Sequence, residues 1–356
     1  HGSPTEVFQG LLEEWQIKAV YANRDYEPYA RKRDGEVKSL LEKQGIPLHA
    51  FKDQVIFEKA EVVKGDGDPY VVYTPYMKKW KEVFADQGAA EAAPSESKLE
   101  HLIPVNDLPY LGLEDIGFEK SDIPVPDYNL EEALIAHYEQ TRNIPSKDGT
   151  SHLGPHLRFG TVSVRRVLQL ARKAENETFW NELIWREFFM QILWHFPHTV
   201  KEAFKKKYDR IRWRNREEEF ECWKQGKTGY ALVDAGMRQL NQTGYMHNRV
   251  RMLVASFLCK HLLIDWRWGE AYFAEKLLDY ELSSNVGNWQ WAGFSPKSHS
   301  IFRASFPLMA DQLLFATTAT PPREPNGFFT LLISMTCSTP WISSASEALN
   351  DFTEPK

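Results

Sequence analysis

The chain has 356 residues, which is enough for two domains of ordinary size. Its 42% hydrophobic and 26% charged residues are typical of a folded globular protein and exclude a largely disordered chain. The net charge of −6 argues against a uniformly basic nucleic-acid binder. The longest apolar run, FFTLLISM, is far shorter than the roughly 20 residues of a membrane helix, and we expect no contact with membranes.

The three cysteines are odd in number and far apart, which indicates a reducing compartment and predicts no disulfide framework. We therefore expect a cytoplasmic protein, or a nuclear one in a eukaryote. The positive charge is concentrated in residues 201–260, where 14 Lys and Arg face 7 Asp and Glu, a local balance of +7. Such a region is typical of a phosphate-binding surface, although a solvated helix surface explains it about equally well.

Residues 1–85 predict a partial α/β domain. A first helix opens with a capping box formed by Ser3 and Glu6. Residues 17–23 and 46–52 are predicted as buried strands, separated by an amphipathic helix that ends in a glycine. This order indicates a parallel, doubly wound sheet, and because such a sheet normally starts with a strand, we expect the domain to be N-terminally incomplete.

The rest of the chain predicts a different architecture. We expect a linker at 86–128, which is rich in Pro, Ala and Ser, and an all-α domain at 129–293, where almost every segment has helical periodicity. Residues 294–356 have no sustained period and predict a poorly ordered tail.

Several patterns that look functional lack necessary parts. Residues 225–229 (QGKTG) resemble the end of a phosphate loop without its first glycine, and residues 65–68 (GDGD) predict a turn, since the other calcium ligands are missing. Two pairs of histidines have metal-like spacing without a carboxylate or cysteine partner nearby in sequence, so we predict no metal site. These are His152 with His156, and His195 with His198.

Two stretches could carry chemistry in the first half of the helical region. Thr150 and Ser151 precede a helical segment, where hydroxyls and free N–H groups suit a pyrophosphate; simple helix capping is the alternative. Glu182, Trp185 and Arg186 fall within one helical turn. A glutamate buried among aromatic rings would donate a hydrogen bond as the neutral acid. The alternative is an amphipathic helix with an aromatic core stripe.

A third stretch places Asn248, Arg249 and Met252 within one turn, with Arg251 one residue off that face. Buried arginines need anionic partners, and Asp279 is a candidate. The alternative is that the two arginines are surface residues with no shared role.

Together these stretches resemble the DNA photolyase/cryptochrome family. In order and spacing, TSHLGPHLRFG, FWNELIWREFF, GKTGYALVDAGMRQLNQTGYMHNRVRM and LLDYELSSNVGNWQWAG resemble its flavin domain, and VYANRDYEPYARKRD resembles its antenna domain. The resemblance covers residues 1–293. It is closest to class I cyclobutane pyrimidine dimer photolyases, since (6-4) photolyases carry a histidine pair at Asn248 and Met252, and plant cryptochromes an aspartate at Asn285.

The resemblance implies a Rossmann-like parallel α/β antenna domain followed by a large all-helical FAD-binding domain. It also implies a monomeric enzyme that repairs pyrimidine dimers in DNA, in which light-excited reduced FAD lends an electron to the flipped-out dimer. A blue-light photoreceptor with the same fold is one alternative, and an inactive photolyase is another. The antenna domain lacks its N-terminal strands, which argues against a second antenna chromophore of the folate or deazaflavin type. Ala30, which stands where folate-binding relatives hold a glutamate, argues further against a folate.

The resemblance also implies individual roles. FAD would be bound by Thr150, Ser151, His152, Leu153, Gly154, Arg251, Asp279, Glu281 and Asn285, with Arg251 and Asp279 as an ion pair. The substrate and its DNA would be bound by Glu182, Trp185, Arg186, Asn248, Arg249, Met252 and Trp291. The electron-transfer chain from the surface to the flavin would be Trp213, Trp266 and Trp289. Glu182 and Asn285 would also act in catalysis, by bonding the damaged base and the flavin respectively.

Overall fold

The computed structural model describes residues 2–88, 95–102 and 111–294. These residues form two compact units. The first contains the chain up to Phe204 together with Leu278–Gly287, and the second contains Lys205–Leu277 and the residues that follow Gly287. The main part of the first of these units ends at Phe204, whereas the sequence predicts a domain boundary near residue 129. Compact units need not coincide with domains, so the predicted domain boundaries stay a prediction. Apart from Phe294, the predicted tail lies outside the described residues.

The first unit begins with the predicted α/β elements. Helix α1 (Pro4–Glu14) starts at Ser3, whose hydroxyl accepts a hydrogen bond from the backbone N–H of Glu6, so the capping box is confirmed. Strands β1 (Val20–Asn23) and β2 (Leu48–Phe51) pair in parallel. Both strands are shorter than predicted, and the prediction that they are buried is wrong, since alternate side chains of each strand are exposed.

The helix between these strands, α2 (Pro28–Glu42), ends three residues before Gly45. Gly45 has φ = 70°, a left-handed conformation that suits glycine, and its N–H donates to the Glu42 carbonyl. Ala30 is buried in α2 with 2% of its surface exposed. The predicted helix end is therefore confirmed as a glycine turn after a slightly shorter helix.

Helix α3 (Tyr73–Gln87) was not predicted. Its buried residues are Tyr76, Trp80, Val83 and Phe84, which recur with the period of one helix face. This face packs in a hydrophobic cluster with Ile184 and other residues of the helical region. The signal was therefore present in the sequence between the second strand and the predicted linker.

Four further helices, which all begin after residue 129, complete most of the first unit. They are α4 (Glu132–Thr141), α5 (Leu153–Arg158), α6 (Val164–Ala171) and α7 (Thr178–His195). Helix α7 has 18 residues and packs against α3, α4 and α6. It carries polar and aromatic side chains into the middle of this unit.

The second unit is helical in its described part. Its helices are α8 (Glu217–Lys224), α9 (Ala231–Thr243), α10 (Asn248–Lys260) and α11 (Trp266–Lys276). Helix α12 (Leu282–Phe294) contributes its first six residues to the first unit and the others to the second. Among the most buried side chains of the second unit are Trp223, Trp266, Phe273 and Trp289.

Two further sequence predictions concern disulfide bonds and membrane-spanning helices. Neither Cys222 nor Cys259 forms a disulfide bond within the part of the chain that the structure describes, and Cys337 lies outside that part. In the part of the chain that the structure describes, no helix combines the length and the apolar character needed to cross a bilayer.

Candidate active site

Glu182 lies on α7 in the first unit and forms an ion pair with Arg142. Nη1 of Arg142 donates to Oε1 of Glu182 at 2.6 Å. The Glu182 side chain keeps 31% of its surface exposed, so the prediction of a glutamate enclosed by aromatic rings is wrong for this residue. The reason is its position in the first turns of α7, beside the end of α4, where a guanidinium can reach it. The pair leaves a carboxylate that can accept a further hydrogen bond.

The enclosed glutamate of α7 is Glu187, which is 3% exposed. Its carboxylate accepts hydrogen bonds from the backbone N–H groups of Ile56 at 2.6 Å and Phe57 at 3.0 Å, and from Nε1 of Trp80 at 2.5 Å. Burial raises the pKa of Glu187 to about 7, although these three donors and the Arg186 guanidinium act in the opposite direction. Glu187 thus fastens both α3 and the segment after β2 to α7.

Trp185 lies one turn after Glu182 and is stacked on Tyr73. The ring centroids are 3.5 Å apart and the planes differ by 6°. Phe188 meets the same indole edge-on, with centroids 5.8 Å apart. Trp185 remains partly exposed, so a well-supported aromatic ring is available for another flat group.

Arg186 faces the interior of the first unit. Its Nη1 donates to the carbonyl oxygen of Gln54 at 2.6 Å. Burial lowers the pKa of the Arg186 guanidinium, and the negative charges of Glu281 and Glu187 oppose that shift. These contacts are structural, and its predicted role in DNA binding stays a prediction without a contact in support.

The predicted phosphate-binding stretch meets Asp279 within the first unit. A β-carbon at Gly154 would lie 2.5 Å from Oδ2 of Asp279, so only glycine allows this approach. Leu153 is buried, and His152 has the left-handed backbone angle φ = 51°. The helix that follows, α5, has only six residues, so its dipole adds little to the binding of an anion at Thr150. The stretch and the acidic segment near residue 280 are nevertheless brought together.

Glu281 caps the N-terminus of α12. Its carboxylate accepts hydrogen bonds from the hydroxyl of Ser283 at 2.7 Å and from the backbone N–H of Ser284 at 2.9 Å. Asn285 follows one turn later, and its backbone N–H donates to the Glu281 carbonyl at 2.9 Å. A β-carbon at Gly287 would lie 2.6 Å from Cε1 of Phe189, so the start of α12 packs closely on α7. These contacts fix the backbone that carries Asn285.

The second unit contains the predicted residues of α10. Asn248 is the first residue of this helix and is exposed. Nη1 of Arg249 contacts Sδ of Met252 at 3.2 Å, so these two side chains share a face as predicted. Nε of Arg251 donates to the carbonyl oxygen of Met246 at 2.7 Å. This bond orients the Arg251 guanidinium.

The three tryptophans of the predicted electron-transfer chain lie in the second unit. Each of them belongs to the last turns of α12 or lies beside them. Trp289 belongs to α12 and is 2% exposed. A β-carbon at Gly293 would lie 3.8 Å from Cβ of Trp266, which is 1% exposed. The ring of Trp213 lies 6.4 Å from that of Phe294, and Trp213 is partly exposed. Burial therefore decreases from Trp289 and Trp266 towards Trp213.

Trp289 is held by close packing. Its ring meets Phe273 at 5.0 Å and Trp223 at 6.2 Å, both nearly edge-on. Gly269 of α11 lies directly against the Trp289 indole, where any β-carbon would collide with it. Trp291, two residues later, is partly exposed. The different environments of these two tryptophans agree with different roles, which stay a prediction.

Other patterns in the sequence have structural explanations. Residues 225–229 form a loop around Asp234, whose carboxylate accepts from the N–H groups of Thr228 at 2.7 Å and Gly229 at 2.9 Å. Residues 65–68 form the predicted turn, with a hydrogen bond from the N–H of Asp68 to the Asp66 side chain. No group of three or more metal-binding side chains occurs among the residues that the structure describes.

Two side chains of this region, Arg142 and Tyr73, carry no recognisable signal of their role in the sequence. Arg142 was hidden because a lone arginine at the end of a helix carries no motif, and its pairing with Glu182 depends on the packing of α4 on α7. Tyr73 was missed together with α3. The statement that His152 has no carboxylate partner nearby in sequence is wrong, since its Nε2 lies 3.3 Å from Oδ1 of Asp148, four residues earlier in the chain.

Comparisons with known proteins identify the family. The family model described as "FAD binding domain of DNA photolyase" matches residues 179–313, which continues beyond Gly293, and the model described as "DNA photolyase" matches residues 1–97. A deoxyribodipyrimidine photo-lyase of Synechococcus sp. is 37% identical over 85% of this chain and 68% of its own length. One from Halobacterium salinarum is 36% identical over 82% of this chain and 65% of its own length.

A solved structure agrees with these relatives. The class III photolyase from Agrobacterium tumefaciens matches with a TM-score of 0.66 and 34% identity, over 82% of this chain and 64% of that protein. The chain spans about two thirds of the length of the curated relatives it matches. The predicted fold class is confirmed, whereas the assignment to class I stays a prediction. The chain belongs to the DNA photolyase/cryptochrome family.

Proposed function

We propose that this chain binds FAD and uses light to repair cyclobutane pyrimidine dimers in DNA. The observation that carries the proposal is the arrangement on α7, where the Glu182 carboxylate is held by Arg142 one turn before the stacked indole of Trp185. A hydrogen-bond acceptor beside an aromatic face is what recognition of an extruded base requires. The names of the relatives support the same substrate.

FAD fits the residues that the first unit brings together. The close approach of Gly154 to Asp279 joins the predicted phosphate-binding stretch to the predicted flavin-binding segment. Thr150 and Ser151 offer hydroxyls there, and the capped start of α12 fixes Asn285. When bound, FAD would supply a light-driven electron transfer that opens the dimer, with no net oxidation or reduction because the electron returns to the flavin. The residues of this chain bind, orient and shield it. Arg251 of the second unit is proposed as a further ligand.

The dimer is bound by stacking and hydrogen bonding. Its two bases stack and pair poorly in the duplex, so flipping them out costs less than flipping normal bases. Trp185 stacks on an extruded base, a contact worth about 1–3 kcal/mol per base. Glu182 accepts a hydrogen bond from a base N–H, while Arg142 keeps the carboxylate in place. Asn248, Arg249, Met252 and Trp291 are proposed as further contacts with the lesion.

Two features of the second unit complete the proposal. Trp289, Trp266 and Trp213 relay electrons, since Trp289 and Trp266 are buried and Trp213 is partly exposed, near the last turns of α12. The basic stretch 201–260 contacts the DNA phosphates. We also propose that the chain acts as a monomer, in the same cellular compartment as the DNA. A photoreceptor would share the fold but would not need the Glu182–Arg142 arrangement beside an aromatic face.

Substitution of Glu182 by Ala tests the proposal. We expect the variant to retain bound FAD, seen in its visible spectrum, and to repair dimers at least about tenfold more slowly, because it loses a charge-assisted hydrogen bond to the base. Glu175→Ala, which removes an exposed glutamate just before α7, is the matched control and should repair at the normal rate. Equal repair by the Glu182 and Glu175 variants would remove Glu182 from the site.

A further inference from the structure

Tyr73 is the first residue of α3, and it stacks on the indole predicted to contact the substrate. Its ring lies 3.5 Å from that of Trp185 with only 6° between the planes, which is face-to-face contact over one side of the indole. The Tyr73 hydroxyl donates to the carbonyl oxygen of Asn181 at 2.9 Å. The ring is therefore fixed at both its face and its hydroxyl end.

The position of α3 is set by Glu187. Trp80, two turns after Tyr73, donates to the Glu187 carboxylate, and the Trp80 ring stacks on Phe84 with centroids 5.1 Å apart. Tyr76 and Trp80 are each only 1% exposed. Because the interior of the helix is anchored in this way, its first turn cannot slide along α7, and Tyr73 remains over Trp185.

Tyr73 also lies beside the Glu182–Arg142 pair. Burial raises the pKa of the Tyr73 phenol, the negative charge of Glu182 raises it further, and the positive charge of Arg142 lowers it. One tyrosine thus touches the aromatic wall and lies within the electrostatic reach of the carboxylate on the same helix. Both of these partners are elements of the proposed substrate contact.

We propose that Tyr73 is a positioning residue for dimer recognition, which holds the Trp185 indole in the orientation that an extruded base can stack on. This inference rests on the proposed function. Without Tyr73 the partly exposed indole would keep only its looser contacts with Phe188 and Phe189, whose ring centroids lie 5.8 and 5.7 Å away. It would then sample more rotamers, and binding would have to order it. Prior stacking on Tyr73 removes that cost, so Tyr73 increases affinity for the lesion without touching it.

The test compares the affinities of the FAD-loaded full chain for a dimer-containing oligonucleotide and for the undamaged one, measured in the dark by fluorescence anisotropy. For Tyr73→Ala we expect the preference for the dimer to fall about 3- to 10-fold, the range that loss of an aromatic pair implies. Tyr73→Phe keeps the ring and should retain the preference. Tyr29→Ala, at a tyrosine that is 70% exposed on α2, is the matched control and should also retain it.

A second readout separates positioning from a general loss of structure. At saturating dimer-containing DNA, repair per absorbed photon by Tyr73→Ala should equal that of the wild type, because the bound lesion is still in place. Tyr73→Leu keeps apolar contact with Phe188 without stacking, and should show the same loss of preference if the alanine variant folds poorly.

Three outcomes would overturn the inference. An unchanged preference in Tyr73→Ala and Tyr73→Leu would show that Trp185 needs no support. An increased preference would show that Tyr73 occupies the place of the base. If the wild type itself did not prefer the dimer, the proposed function would fail and this inference with it. That result is distinct from one in which the wild type prefers the dimer and the variants retain the same preference.

Discussion

Glu187 is a carboxyl group without access to water, and its behaviour follows from two opposing effects. Removal from water favours the neutral acid, whereas three N–H donors favour the carboxylate. Burial dominates, and it raises the pKa of Glu187 from 4.5 to about 7. Below pH 4.5 both the folded and the unfolded chain hold this proton. As the pH rises towards 7 the unfolded chain releases it first, so unfolding becomes easier.

We therefore expect Glu187 to make the free energy of unfolding fall between about pH 4.5 and 7, by up to about 3 kcal/mol. Urea unfolding of the wild type and of Glu187→Gln across this range measures the effect, since glutamine cannot titrate. The difference between the two proteins should change in favour of the variant as the pH rises and become constant above about pH 8. A difference that is independent of pH would contradict this explanation.

Gly154 is required because a side chain there would collide with Asp279. We expect Gly154→Ala to lose FAD, with the flavin absorbance of the purified protein reduced at least about tenfold, because Asp279 would have to move away from the new β-carbon, which would lie 2.5 Å from its Oδ2. Gly35→Ala in α2 is the matched control, since a β-carbon there meets nothing within 4 Å. The control should stabilise the chain by about 0.5–1 kcal/mol in thermal unfolding. Normal flavin content in Gly154→Ala would argue against this site.

At the scale of elements, the last turns of α12 organise the tryptophans of the second unit. Trp289 is packed against Gly269, and Trp266 lies beside Gly293. We expect Trp266→Phe to slow photoreduction of bound, oxidised FAD at least about tenfold, since phenylalanine is much harder to oxidise, while dark binding of dimer-containing DNA stays the same. Trp268→Phe, next to Phe220 and outside this series, is the control. Equal rates of photoreduction in the two variants would show that Trp266 does not take part in electron transfer to the flavin.

Two elements show how far the sequence alone could predict the fold. Helix α1 was predicted because Ser3 and Glu6 form a local capping signal that needs no other part of the chain. Helix α3 was missed although Tyr76, Trp80, Val83 and Phe84 have helical spacing. The Pro- and Gly-containing residues on either side of it masked that period. Local signals are thus sufficient for helix ends, and a periodic segment between breakers is easily overlooked.

The site on α7 shows what the sequence could not settle. Glu182 and Glu187 both lie on this helix, and the helix is apolar on most of its circumference, so no amphipathic pattern tells which glutamate is enclosed. The answer depends on Arg142 and on Trp80, which are 40 and 107 residues away along the chain. Resemblance to a family located the functional segment, but only the packing distinguishes a carboxylate that faces a ligand from one that fastens the fold.

At the scale of the whole molecule, an acidic chain carries a basic stretch at 201–260. If this stretch contacts phosphates, the logarithm of the binding constant for DNA falls linearly with the logarithm of salt concentration, with a slope of about 0.9 per contact. Replacing Lys205, Lys206 and Lys207 by Gln should weaken binding of damaged and undamaged DNA equally and reduce the slope by up to about 3. The same change at Lys32, Lys38 and Lys43 is the matched control. A larger effect in the control would place the DNA contact elsewhere.

Light-driven repair is the central claim, and the FAD-loaded full chain tests it most directly. The protein is reduced, mixed with an oligonucleotide that contains one thymine dimer, and either illuminated with near-ultraviolet light or kept in the dark. Restored thymines are then counted by chromatography. We expect dimers to disappear only in the illuminated sample, with many dimers repaired per protein molecule. Bound FAD with no loss of dimers under light would contradict the account and would favour a photoreceptor.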